Sequence, residues 1–183
     1  MIGVRPNCRI SDWGGTDMPN VFGQASEARL KGLHPDLVKA LRKAIEISPI
    51  DFTIVEGLRS DEQCYINFGK GRTSAQCTAA GCPATYALPS AAKVTWLREP
   101  LSSNHRMKSD GFGHAVDIYP YPVSLVFKGK PKDYEPLFDK LAKAMFQAAK
   151  NVGVSIRWGA DWDLDNVPRE RGETDNPHFE LRS

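Results

Sequence analysis

Two stretches of this chain, "HPDLVKALRKAIEIS" and "PKDYEPLFDKLAKAMFQAAKNVG", are regular enough to form amphipathic helices, and every other apolar segment is strand-sized. In the first, Leu37, Val38, Leu41 and Ile45 make one helical face behind Pro35, a residue suited to a first helical position. In the second, Leu137, Leu141, Met145 and Ala149 recur at four-residue intervals until Gly153 ends the helix. Neither face is stable in water. The partners available are "DFTIVEG", which ends at Gly57, "GHAVDIYP", stopped by Pro120 and Pro122, "VSIRW", and the closing "PHFEL". The organisation is therefore mixed α and β. With 183 residues, 41% of them hydrophobic, the chain supports one good core, so residues 1–183 are expected to form a single domain.

The connections are as informative. Ser60 with Gln63 three positions on fits a capping box that opens a helix through about Phe68, which puts Arg59 in a strand-to-helix elbow suited to reaching into a cleft. A surface arginine is the plainer reading. From Gly69 to about Ser109 the chain is rich in Gly, Ala, Ser, Thr and Pro, a length that marks a functional or a disordered region. Within it "AAKVTWL" reads as a short strand. Cys77 and Cys82 in "CTAAGC" approach the spacing of half a zinc knuckle, but no second close pair completes one. With Cys8 and Cys64 they allow three disulfide pairings, and free thiols are expected if the protein is made in the cytoplasm.

Charge and hydropathy exclude several classes. The 24 basic and 22 acidic residues leave a net charge of +2, too slight to indicate nucleic acid. No apolar run approaches bilayer length, and "MIGVRPNCRISDWGG" has no continuous apolar stretch of the kind a secretory signal needs. Cytoplasmic synthesis without a classical signal is the expectation.

The chain has four histidines, and one of them, His178, stands in the last strand. Alternation there turns His178 and Glu180 to one side and Phe179 and Leu181 to the other. In the strand through residues 114–119, Asp117 shares a face with Ala115 and Tyr119, while His114 points away. His105, in the loop before this strand, can fold over the Asp117 face. His105, Asp117 and His178 then offer two imidazoles and a carboxylate, a set that zinc accepts with a fourth position open. Asp175 can lie beside them as a base that takes a proton from attacking water and returns it to a departing amine, with Arg59 steadying an oxyanion or a substrate carboxylate. On spacing alone, unconnected surface and core histidines are the stronger reading. Asp161, Asp163 and Asp165 alternate as in the opening of a calcium loop, but Asn166 and Gly172 stand where its glycine and closing glutamate belong, which excludes an EF-hand and leaves a solvated acidic loop as the default.

"SSNH", "GHAVDIYP" and "DNPHFEL", with "LHPDLVKAL", "DFTIVEGLRSDEQ", "GKGRT" and "KVTW" upstream, resemble the zinc peptidases of the D-alanyl-D-alanine carboxypeptidase and L-alanyl-D-glutamate endopeptidase family, especially its bacteriophage endolysin branch. The likeness covers roughly residues 27–183. It implies a small α+β fold of the D-alanyl-D-alanine peptidase or hedgehog-like kind, with an antiparallel sheet packed against helices. It also implies zinc held by His105, Asp117 and His178, Asp175 as general base, Arg59 as catalytic arginine, and Ser103 and Gln63 as substrate-binding residues. A structural hydroxyl at Ser103 and helix capping by Gln63 are the plainer roles. The implied substrate is the stem peptide of bacterial peptidoglycan, cut at the L-alanyl-D-glutamate bond by a monomer. That monomer would reach the wall after another protein permeabilises the membrane. Two alternatives stand beside this: a D-alanyl-D-alanine carboxypeptidase or dipeptidase, and a non-catalytic wall-binding or virion structural module. One departure matters. Relatives have about two residues between the first histidine and the glycine before Ala-x-Asp, whereas "RMKSDGF" intervenes here and lets His114 compete with His105.

Overall fold

The computed structural model describes residues 19–182. The N-terminal segment and Cys8 lie outside the described residues. Among the described residues, six α-helices and four strands follow in order: α1 (Gln24–Arg29), α2 (Pro35–Ile47), β1 (Phe52–Glu56), α3 (Asp61–Gly69), α4 (Ser74–Ala79), β2 (Ala115–Pro120), α5 (Ser124–Phe127), α6 (Pro131–Val152), β3 (Ile156–Trp158) and β4 (His178–Leu181). The four strands form one antiparallel sheet in the order β1-β2-β4-β3.

The two long helices pack together and cover one face of that sheet. Leu37, Leu41 and Ile45 of α2 meet Phe138, Leu141 and Met145 of α6 in a core that also takes Ile54, Val116, Ile118, Trp158 and Phe179. Leu137 is only half-buried, and Phe138 and Ala142 take the inward places. The reason is helical pitch: a strict four-residue step drifts by about 40° each time, so a long buried face must mix steps of three and four. Gly153 closes α6 in the left-handed region, with φ of 72°.

Strand alternation sends Val116, Ile118 and Phe179 into the core and leaves Asp117, His178 and Glu180 for the opposite face. Register completes the arrangement. Asp117 pairs with His178 on one side and with Glu56 on the other, so three polar side chains form a row across the sheet. A bulge between Ile54 and Glu56 shifts the β1 register at that row, a device that re-aims side chains beside sites.

Two expected local features differ. Residues 91–97 form no strand: the buried Arg72 donates from Nη1 to the Phe68 carbonyl at 2.5 Å and from Nη2 to the Thr95 carbonyl at 2.7 Å. The guanidinium thus claims a carbonyl that a sheet ladder would use, and Trp96 is left 76% exposed. At α3 only half of the capping box forms. Ser60 Oγ accepts the Gln63 N–H at 3.1 Å, while the Gln63 amide reaches forward to Asn67 Oδ1 at 3.1 Å. Cys64, Cys77 and Cys82 are free and buried, the last two in a small cluster with Phe68.

Candidate active site and metal centre

Three segments bring His105, Asp117 and His178 together. His105 is carried by a loop whose carbonyl accepts the Arg59 N–H at 2.9 Å, which ties the elbow after β1 to this histidine. Asp117 and His178 come from paired central strands. His105 Nε2 lies 3.2 Å from His178 Nδ1 and 3.3 Å from Asp117 Oδ1, and His178 Nδ1 lies 3.2 Å from that same oxygen. Ligands of a tetrahedral zinc at its usual bond length of about 2.0 Å are separated by about 3.3 Å. The triangle has that edge on all three sides.

The outward nitrogens decide which atoms can bind. His105 Nδ1 is 2.9 Å from the Gly57 carbonyl oxygen, which only accepts, so the proton sits on Nδ1 and the Nε2 lone pair faces inward. Gly57 has no alternative residue here, because a Cβ would stand 2.2 Å from the Arg29 carbonyl oxygen. On His178, Nε2 donates to Glu180 Oε2 at 3.1 Å and Nδ1 faces the site. Burial works against the Glu180 charge, but bonds from His178, Arg157 and Asn104 outweigh it and hold its pKa down at about 2. Glu180 is therefore a permanent acceptor. Carboxyl or carbonyl braces of this kind fix the tautomer and orientation of metal-binding imidazoles.

Two lone pairs and a carboxylate oxygen thus converge at contact distance, an arrangement that requires a cation or a shared proton. Burial opposes a charged His178, yet its bonds to Asp117 and Glu180 push its pKa up to about 9. Burial likewise opposes the Asp117 charge, and the two imidazoles outweigh it and hold the carboxyl far below its ordinary range.

Asp175 stands next to this triangle. Its carbonyl accepts the His178 N–H at 3.2 Å and its own N–H reaches the Gly159 carbonyl at 3.3 Å. Gly159 makes the packing possible, since a Cβ there would lie 2.9 Å from the Cβ atoms of both Asp175 and His178. Asp175 is open to solvent on one side and crowded by protein on the other; the crowding raises its pKa despite the histidines and Arg59 nearby.

Arg59 is more committed than its sequence position suggests. Its Nε and Nη2 donate to the Glu56 carboxylate at 2.8 and 2.5 Å, and Nη1 donates to Ser103 Oγ at 3.4 Å. Burial opposes its charge, and the Glu56 fork more than restores it. The buried Ser103 hydroxyl also accepts the His105 N–H at 3.3 Å, so it braces the loop. Gln63 is turned to Asn67. The excursion at 106–112 folds outward as a small hairpin, closed by Lys108 N–H to the Phe112 carbonyl at 2.8 Å, and His114 pairs with Asp110 instead of joining the triangle.

A model of the phage L-alanyl-D-glutamate peptidase family matches residues 18–80 and 90–182. The chain belongs to that family. It is 34% identical over 165 residues to the L-alanyl-D-glutamate peptidase of Escherichia phage T5, across 87% of this chain and 96% of that one. Among solved structures it is similar to the L-Ala D-Glu endopeptidase ChiX of Serratia marcescens, with a TM-score of 0.51 and 26% identity, over 91% of this chain and 93% of the other. The small α+β architecture and the peptidase class follow from these likenesses and the sheet described above.

Glu56, Gly159 and Trp162 were not apparent as site residues in the sequence, and Glu180 was apparent there only as a neighbour on the His178 face, not as its brace. Trp162 lies over His178 with ring centroids 5.4 Å apart and carries Arg157 above its own face. Alternation already placed Glu180 on the His178 face; the others depend on pairing and loop packing. In the acidic loop, Asp161 and Asp163 gather with Glu173, whose Oε1 accepts the Trp162 and Asp163 N–H groups at 2.8 and 3.2 Å.

Proposed function

We propose that this chain is a zinc-dependent peptidoglycan endopeptidase of the endolysin kind, hydrolysing the L-alanyl-D-glutamate bond of stem peptides. The observation that carries the reading is the near-equilateral triangle of His105 Nε2, Asp117 Oδ1 and His178 Nδ1 in a chain of this family. Those three atoms would hold the zinc. Bound there, zinc supplies Lewis acidity that acidifies water and polarises a peptide carbonyl.

The chain's own groups do the rest. Asp175, lifted in pKa by crowding, accepts a proton from the attacking water and passes it to the departing D-glutamate nitrogen. Arg59, clamped by Glu56, presents Nη1 toward developing negative charge or a substrate carboxylate. Ser103 positions both Arg59 and His105. Gln63 lines the cleft through α3 in a minor role. Residues 1–183 act as one monomeric domain, reaching the wall after a separate permeabilisation of the membrane. No helix among the described residues is long and apolar enough to cross a membrane.

Digesting purified peptidoglycan and identifying the new ends by mass spectrometry tests the reading. New alanine carboxyl ends and glutamate amino ends are expected. Release of terminal D-alanine alone would replace it with a carboxypeptidase.

A further inference from the structure

The two remaining histidines also meet around an aspartate. His34, Asp110 and His114 each offer a ligand atom within 4.8 Å of the others. His114 Nε2 lies 2.7 Å from Asp110 Oδ2, His34 Nε2 lies 3.9 Å from the same oxygen, and the two imidazole centroids are 5.1 Å apart. We propose that this trio is a second, outer binding site for a divalent cation of the zinc class. Two imidazoles and one carboxylate favour zinc and its late first-row neighbours over calcium or magnesium, which prefer oxygen ligands.

The backbone holds all three donors in place before any cation arrives. His34 N–H donates to the Gly113 carbonyl at 2.9 Å, and Gly113 N–H returns to the Gly32 carbonyl at 2.8 Å. Asp110 Oδ1 accepts the Phe112 N–H at 3.1 Å, which leaves Oδ2 to face the imidazoles. His114 N–H is bonded to the Asn104 carbonyl at 2.7 Å, and its carbonyl accepts the Leu181 N–H. A cation here would cross-link the 106–112 hairpin to the start of α2 and the entry to β2.

Binding at this site is weaker than at the buried triangle, for a stated reason. His34 Nδ1 accepts the Asp36 N–H at 3.2 Å as the cap of α2, so the neutral ring carries its proton on Nε2. Ligation through Nε2 moves that proton to Nδ1, where Asp36 Oδ2, 3.9 Å away, is the carboxylate placed to receive it. One capping bond is exchanged for one carboxylate bond. The side chains of His34, Asp110 and His114 are 26%, 40% and 25% exposed, so water competes as well.

The test is equilibrium dialysis of the full chain against tens of micromolar free zinc, with bound metal counted by elemental analysis. The parent is expected to hold two equivalents, and His34→Asn, Asp110→Asn and His114→Gln one each. Asparagine at position 34 retains a side-chain acceptor for the helix cap. His105→Ala should lose the buried ion and keep the outer one, which separates failure of this inference from failure of the catalytic-site reading. The second equivalent should also shift the His34 and His114 imidazole resonances in the parent, a readout that needs no variant. A second equivalent that persists in both Asp110→Asn and His114→Gln, or that leaves those resonances unmoved, overturns the proposal, as does a parent that holds only one equivalent and retains it in all three outer-site variants.

Discussion

Two His–Asp–His groups occur in this chain with the same three ligand types, and they differ in what stands behind the ligands. Around the buried triangle, both outward nitrogens are tied to acceptors that cannot donate, the Gly57 carbonyl and the Glu180 carboxylate, and the inward atoms are evenly spaced. In the outer trio one edge is a 2.7 Å hydrogen bond, another is 3.9 Å, and the His34 proton is on the wrong nitrogen. The difference teaches that ligand identity alone does not make a strong centre. The bracing groups and their exclusion from water decide which set is ready to bind.

The largest expected effect separates chemistry from binding. Asp175→Asn removes the proton acceptor while preserving shape, so the initial rate of stem-peptide release should fall by roughly 100-fold or more with zinc content unchanged. Zinc lost with activity would make Asp175 a ligand or an essential brace. The same residue sets a pH dependence. Crowding raises its pKa, a base must be deprotonated to work, and activity should therefore rise with pH along a limb lying above the ordinary carboxylate value of about 3.9. That limb should be absent from the residual activity of Asp175→Asn.

Next in size is the brace. Glu180→Gln keeps a polar side chain but removes the permanent acceptor behind His178, and zinc affinity should fall by about 10- to 100-fold in competition with a chelator. An unchanged affinity would break the contrast between the two groups. Arg59→Lys keeps the charge and loses the planar fork to Glu56, so turnover should drop by about tenfold or more, the scale of one charged hydrogen bond, with a smaller proportional loss in thermal stability. The smallest effect belongs to the outer trio: His114→Gln should leave turnover on peptidoglycan within about twofold, the range of a surface change remote from chemistry.

Much of this was legible in the chain because strand period is strict. Alternation alone put His178 with Glu180 and separated Asp117 from His114, and the structure has those faces. Pairing register was not legible, since nothing in "FTIVE" states that Glu56 will sit opposite Asp117 across a bulge. Residues 91–97 misled for a related reason: Val94 and Trp96 alternate as a strand requires, but the Thr95 carbonyl between them goes to Arg72, more than 20 positions upstream. Gly159 gave no local signal either, because its role is to leave room for two side chains that arrive later in the chain. The length of "RMKSDGF" left open whether it folds outward or lets His114 replace His105, and its meeting with His34 depended on the Leu33 to Gly113 bridge.

The most direct test of the central claim is zinc content at free zinc low enough that only the tighter site is filled, measured on the parent, His105→Ala and His114→Gln. The account predicts one equivalent in the parent and in His114→Gln, and close to none in His105→Ala. Zinc retained by His105→Ala and lost from His114→Gln would contradict it and move the tight metal centre to the outer trio.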